Sequence, residues 1–258
     1  MDFFVNNFQV FFLILARVFG MFVVAPFFSS DAVPARIRVI TAVYVTACAF
    51  PMAARYFGRV PQNMFSYAML VGSEALIGIL IGFMMSIIFA AFQLAATFFS
   101  FQMAIGIAEV LDPFSEVGVS VVGQLWTLMG IMVFIAIDGP EMLVMGTIDS
   151  FRTARILSLV KQGGAVTKAL IDAFSSMFLI ALKLSFPIMI TLFLLAVTLG
   201  LLSKAAPQMN IFMLGFPVQI GVGFLLLIVM MGAIAFGMSA ALNRAFEGVV
   251  SLLRAMGR

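Results

Sequence analysis

Histidine is absent from this 258-residue chain, which removes imidazole triads, histidine metal sites and imidazole pH switches. Cysteine occurs once, at Cys48, so no disulfide can close within the chain and the redox compartment is left open. Charge is scarce as well: Asp, Glu, Lys and Arg make up 10% of the residues, against roughly a quarter in a soluble domain. A water-facing surface cannot be built from so little. The sequence also lacks HExxH, GxSxG, P-loop, GxGxxG and CxxC patterns, so neither an active site nor a cofactor cradle is expected. Asp138 before Gly139 has no second transmembrane Asp with which to share a proton, as an aspartyl protease would need. The reading is of a protein that is not an enzyme and carries no cofactor or metal.

What remains is overwhelmingly apolar: 64% of residues are hydrophobic and the mean hydropathy is +1.22. About 20 apolar residues in a helix cross the hydrocarbon layer of a bilayer. Three runs free of Asp, Glu, Lys and Arg meet that length: Ala75 to Ala108, Val117 to Ile137 and Ala205 to Asn243. Shorter runs cover Val18 to Ser30, Val39 to Ala54 and Leu184 to Ser203, the first extending back to Phe3 across Arg17. Six helical segments in one structural unit are therefore expected, an all-α polytopic membrane type of protein. The net charge of +3 comes from 14 scattered basic residues, which read as loop and interface charges and not as a nucleic-acid patch. The N-terminus opens with Asp2 and carries Arg17 inside its apolar run, unlike a cleavable signal peptide, and is expected to stay in the mature protein.

Turn chemistry divides the chain. Pro26 and Pro34 bracket Ser29, Ser30 and Asp31; a second helix is expected from about Ile37 to Met52, and a third from Met64. Ala75 to Phe101 as one helix spans about 40 Å, more than the roughly 30 Å hydrocarbon core, so it should tilt, kink or project. Gly78 and Gly82 form a small-xxx-small pair that allows close helix approach; glycine is also simply common in membrane helices. A fourth helix is expected to end at Asp138, Gly139 and Pro140, and Asp149 to Lys168 reads as the main exposed loop. The last 85 residues form a helical hairpin, with arms from about Lys168 to Ser203 and Ile211 to Leu253, the second kinked near Pro217.

Two groups of residues invite a functional reading. Ionisable side chains inside apolar runs are costly at membrane depth unless paired or wet; Arg17, Glu74 and Lys183 lead, with Asp138 and Glu141 behind. They could relay an ion, or cap helices, sit at interfaces and pair with neighbouring subunits. The second group lies in Gln102 to Gly123, where Met103, Ile105, Ile107, Val110, Leu111 and Phe114 are bulky and apolar while Pro113 and its acidic and glycine neighbours forbid a continuous helix. Irregular backbone at membrane depth is tolerated where protein buries it or water lines it. A re-entrant loop at a pore or an inter-subunit cavity is one reading; an ordinary helix-to-helix loop is the other.

Three stretches, LARVFGMFVVAPFFSSDAVPARIR, FFSFQMAIGIAEVLDP and LGLLSKAAPQMNIFMLGFPVQIGVG, resemble the FliR family of flagellar biosynthetic proteins, whose virulence type III secretion homologues are close relatives. The matches run in order along nearly the whole chain, and Leu199 to Gly223 is the most specific. The resemblance implies a subunit of a helical hetero-oligomeric export gate in the bacterial inner membrane, within the flagellar basal body. One copy would join FliP-like and FliQ-like subunits, with an FlhB-like protein at the cytoplasmic side, and unfolded flagellar proteins would pass through the centre. It implies a FliP-like portion over 1–167 and a FliQ-like hairpin over 168–258. It also implies that the positions matching the family's plug, Met103, Ile105, Ile107, Val110, Leu111, Pro113 and Phe114, help close the pore. The family's complex sits largely above the membrane plane on the periplasmic side, so helices counted as lipid-facing would face protein. An ion-coupled secondary transporter using Arg17, Glu74 and Lys183 is the reading from another class.

Overall fold

The computed structural model describes residues 2–30, 33–58, 60–61, 63–103, 105–106, 121–153, 163–206, 208 and 211–256. Among these residues the chain is helical and contains no strand. The elements are α1 (Asp2–Val24), α2 (Pro26–Ser29), α3 (Ala35–Ala53) with a 3-10 turn at Ala54–Tyr56, α4 (Met64–Gln102), α5 (Val121–Ala136), α6 (Gly139–Thr153), α7 (Gly163–Ala205) and α8 (Ile211–Met256). Five of them are long and apolar enough to cross a membrane, and α5 with α6 makes a sixth candidate if that broken pair is counted as one.

Proline and glycine place the breaks. Pro26 opens α2 and Pro34 is the N-cap of α3, positions where a missing N–H costs nothing. Between α5 and α6, Asp138 takes φ 56, a left-handed conformation that ends a helix and that Asp tolerates better than most residues. Its N–H bonds the Ile135 carbonyl at 3.0 Å, and its own carbonyl accepts from Met142 at 3.0 Å to start α6. Helix α4 contains no proline over its 39 residues and at 1.5 Å per residue runs about 58 Å. The third helix thus starts at Met64, as the turn chemistry predicts, and runs unbroken to Gln102.

One expectation is corrected. Asp149 to Lys168 was expected to be an exposed loop; its two ends are helical instead, α6 extending to Thr153 and α7 beginning at Gly163, while 154–162 lie outside the described residues. Gly139, Leu143, Thr147, Ser150 and Phe151 are the buried residues of α6, a 3.6-residue spacing that turns one face inward while Asp149 and Arg152 stay on the other. Charge density pointed to a loop; at Asp149 and Arg152 an amphipathic helix places the charges outside.

Two compact units divide the chain. One comprises Met1–Ile88, Phe134–Phe174 and Leu242–Arg258, the other Phe89–Val133 and Ser175–Ala241. Each draws on both sides of the 167/168 division that the resemblance implies. In the first unit, Leu13, Ile14, Met21, Phe22, Ile77, Ile81 and Met85 are fully buried. In the second, Phe92, Phe99, Trp126, Ile188, Leu192 and Met238 play that part. Within the hairpin arms of the second unit, Ile180, Ala181, Leu184, Ser185, Ile188 and Leu192 form one buried stripe on α7, and Leu184 lies against Gly237 of α8. Thr46 and Ser185 bond back to their own helices, to the Ala42 carbonyl at 2.7 Å and the Ala181 carbonyl at 2.8 Å, so these hydroxyls are carried into apolar surroundings without a lost hydrogen bond.

Candidate functional site

The first unit is organised around a buried cation. Arg17, in the middle of α1, is 1% exposed and Glu74 of α4 is 3% exposed. Arg17 Nε donates to Glu74 Oε2 at 2.6 Å, and Nη2 lies 2.6 Å from the same oxygen. Nη1 donates to Ser150 Oγ of α6 at 2.8 Å, and Ser150 in turn donates to the Thr147 carbonyl at 2.5 Å. The guanidinium carbon sits 4.1 Å from the centroid of the Phe151 ring. One cation therefore meets a carboxylate, a hydroxyl and an aromatic face from two other helices. Such a pair offsets the large desolvation cost of burying charge only because its hydrogen bonds are made.

Glycine brings α1 and α4 close enough for this. Glu74, Gly78 and Gly82 recur every four residues, on one face of α4. A Cβ at Gly78 would run into the Arg17 carbonyl oxygen, and one at Gly82 would lie 2.8 Å from the Met21 oxygen and 3.0 Å from the Ala25 nitrogen. From the opposite side, a Cβ at Gly20 would lie 2.5 Å from the Ala75 oxygen. The obstacles are backbone atoms, which cannot swing aside. The two glycines singled out in the sequence thus meet a helix whose own Gly20 completes the contact.

Ser150, Phe151 and Gly20 carry no charge and stood out in no pattern; the 3.6-residue spacing from Leu143 through Thr147 to Ser150 was the available signal. Lys183 belongs to α7 in the other unit and is exposed on the chain, so within the chain it is not a buried charge. Asp138 and Glu141 are exposed as well.

In the second unit the structure describes the base of the Gln102 to Gly123 stretch. Met103 is fully buried, its N–H bonded to the Phe99 carbonyl at 3.0 Å. Its side chain fills the space over Gly223 of α8: a Cβ there would lie 2.6 Å from Met103 Cε and 2.7 Å from Cγ and Sδ. Gly106 folds so near Phe101 that a Cβ would lie 3.1 Å from the Phe101 nitrogen. On the return side, Trp126 of α5 packs on Phe99 of α4 with ring centroids 5.0 Å apart, and Gly130 faces the Phe92 ring. Ile105 is half-buried; Ile107, Val110, Leu111, Pro113 and Phe114 lie outside the described residues.

Residues 8–245 match the family described as "Bacterial export proteins, family 1". The chain is 29% identical to the flagellar biosynthetic protein FliR of Bacillus subtilis over 258 residues, covering 98% of each. It is 32% identical to the protein of that name from Escherichia coli over 227 residues, covering 88% of this chain and 86% of the relative. With that of Borreliella burgdorferi the identity is 28% over 253 residues, covering 95% and 91%.

Proposed function

The chain belongs to the bacterial export proteins of family 1, among the FliR flagellar biosynthetic proteins, and on that premise we propose that it is a non-catalytic structural and gating subunit of the flagellar export channel. At the coarser level it is a multi-pass membrane component of the flagellar export apparatus. In the proposed role it assembles in the inner membrane with FliP-like and FliQ-like subunits and an FlhB-like protein. Residues 168–258 act as the FliQ-like hairpin, and the stretch around Met103 to Phe114 narrows the path of unfolded flagellar proteins.

The carrying observation is the length of apolar surface on the hairpin. Along α7, large apolar side chains are exposed from Ile171 through Phe186 and Phe193 to Leu202, about 46 Å at the helical rise. Along α8 they are exposed from Met213 through Ile228 and Phe236 to Val250, about 55 Å. Each stretch, measured along its helix, is longer than the roughly 30 Å that a hydrocarbon core covers. Part of this surface calls for protein, which supports membership in a hetero-oligomer. A lone ion carrier draws less support, since Arg17 and Glu74 neutralise each other at 2.6 Å and Lys183 is an exposed residue of the other unit.

Deleting Val110–Glu116 tests the gating role. The complex should still assemble with its partners, and ion leakage across the inner membrane should rise. Unchanged leakage from a fully assembled complex would refute the pore-closing assignment.

A further inference from the structure

We infer that Gly223 and Met103 form a fixed anchor that sets where the gating stretch leaves α4. The inference rests on the gating role just proposed and adds two positioning residues to it. Helix α4 ends at Gln102, so Met103 is the departure point of the stretch. Its side chain is wholly buried, and the hollow it occupies exists because residue 223 has no Cβ. Gly223 lies well inside α8, and unlike Gly221 and Gly232 of the same helix, which face nothing within 4 Å, it faces a packed side chain. Gly223 also closes the GFPVQIGVG segment, for which the gating role alone offers no use.

The surroundings make this a fixed point and not a loose contact. Four residues before Met103, Phe99 is fully buried against the fully buried Trp126. Further along the same pair of helices, Gly130 admits the Phe92 ring. Helices α4 and α5 are thus zipped together at the base of the stretch, and the Met103 side chain pins that base to α8. Met103 then keeps its seat during export, and Gly106, where a Cβ would lie 3.1 Å from the Phe101 nitrogen, lets the chain pass close to the end of α4.

The test uses the full chain assembled with its partners, with ion leakage, secretion of flagellar subunits and co-purification read in parallel. Gly223→Val fills the hollow and should raise leakage several-fold with assembly intact; Met103→Ala empties it and should do the same. Combining Met103→Ala with Gly223→Val refills the space from the other side and should leak less than either single variant, a coupling that general destabilisation does not produce. Wild-type leakage from both assembled single variants, or a combined variant that leaks as their sum, would overturn the anchor.

If Gly223→Val does not assemble, a disulfide decides. The hypothetical Cβ of residue 223 lies 2.7 Å from Met103 Cγ, so the two Cβ positions are within reach of a disulfide. Met103→Cys with Gly223→Cys, in a Cys48→Ser background, should be oxidised without loss of secretion. Secretion that stops until reductant is added would mean that Met103 leaves its seat during export, and the fixed anchor would be wrong. Leakage from the Val110–Glu116 deletion separates the two ideas. If it leaks while the anchor variants do not, only the anchor falls; if neither leaks, the gating role and the anchor fall together.

Discussion

Arg17 and Glu74, 57 positions apart in sequence, meet at 2.6 Å in the interior of one structural unit, and Ser150 accepts a hydrogen bond from the same guanidinium. Removing one partner leaves the other charged and buried. Arg17→Met and Glu74→Leu should therefore each cost about 3–5 kcal/mol, while the double variant should recover most of that loss. Thermal unfolding of the detergent-solubilised chain by circular dichroism measures it. Because the partner of Arg17 is in its own chain, the loss should appear without any other subunit present.

Ser150→Ala should cost about 1–3 kcal/mol, because the buried guanidinium loses one of its hydrogen-bond acceptors. Phe151→Leu keeps the volume roughly and loses the aromatic face, so about 1 kcal/mol is expected. In the same melting experiment, a Ser150→Ala variant indistinguishable from wild type would show that water or another group had taken the position.

The glycines should separate by what stands in front of them. Gly78→Ala drives a Cβ into backbone atoms of α1 and should cost about 1–3 kcal/mol or more. Gly146→Ala meets nothing within 4 Å and should be neutral or stabilising by up to about 1 kcal/mol, since alanine favours helix. Comparing the two melting temperatures checks this; equal shifts would contradict the close contact of α1 with α4.

Trp126 is the sole tryptophan and is fully buried beside Phe99. Its fluorescence should be blue-shifted, and Phe99→Ala should move it to the red while costing about 3–5 kcal/mol through the cavity left behind. An unshifted spectrum in Phe99→Ala would mean that the two rings do not share one dry core.

Charged substitutions at the ends of the exposed stripe test the need for protein cover. Ile171→Lys and Leu201→Lys alter residues that are 62% and 63% exposed on α7, about 45 Å apart along the helix. Both should leave the isolated chain's melting unchanged within about 0.5 kcal/mol, and at least one should reduce co-purification with partner subunits. Full recovery of complex from both would point to lipid or water at those positions.

Much of the helical framework was legible before any fold was known. Hydrocarbon-length runs, flanked by Pro34 and Asp138, located the long helices within a few residues, because apolar helices and helix-breaking residues report on local chemistry alone. Over 149–153 the loop reading failed for the same reason: a charged, half-polar segment looks like a loop until one knows that a face carrying Leu143, Thr147, Ser150 and Phe151 has something to pack against.

By itself the sequence determined that this chain is helical, apolar and a member of an export family, since composition, run length and ordered motifs carry that information without any contact. Only the tertiary structure decided who meets whom. That Arg17 is answered by Glu74 and Ser150 within the chain, that Gly20 faces α4, and that Met103 rests in the hollow over Gly223 are facts about residues far apart in sequence. A buried charge announces that it needs a partner, and a glycine that something can come close; the identity of the partner is set by how the helices cross.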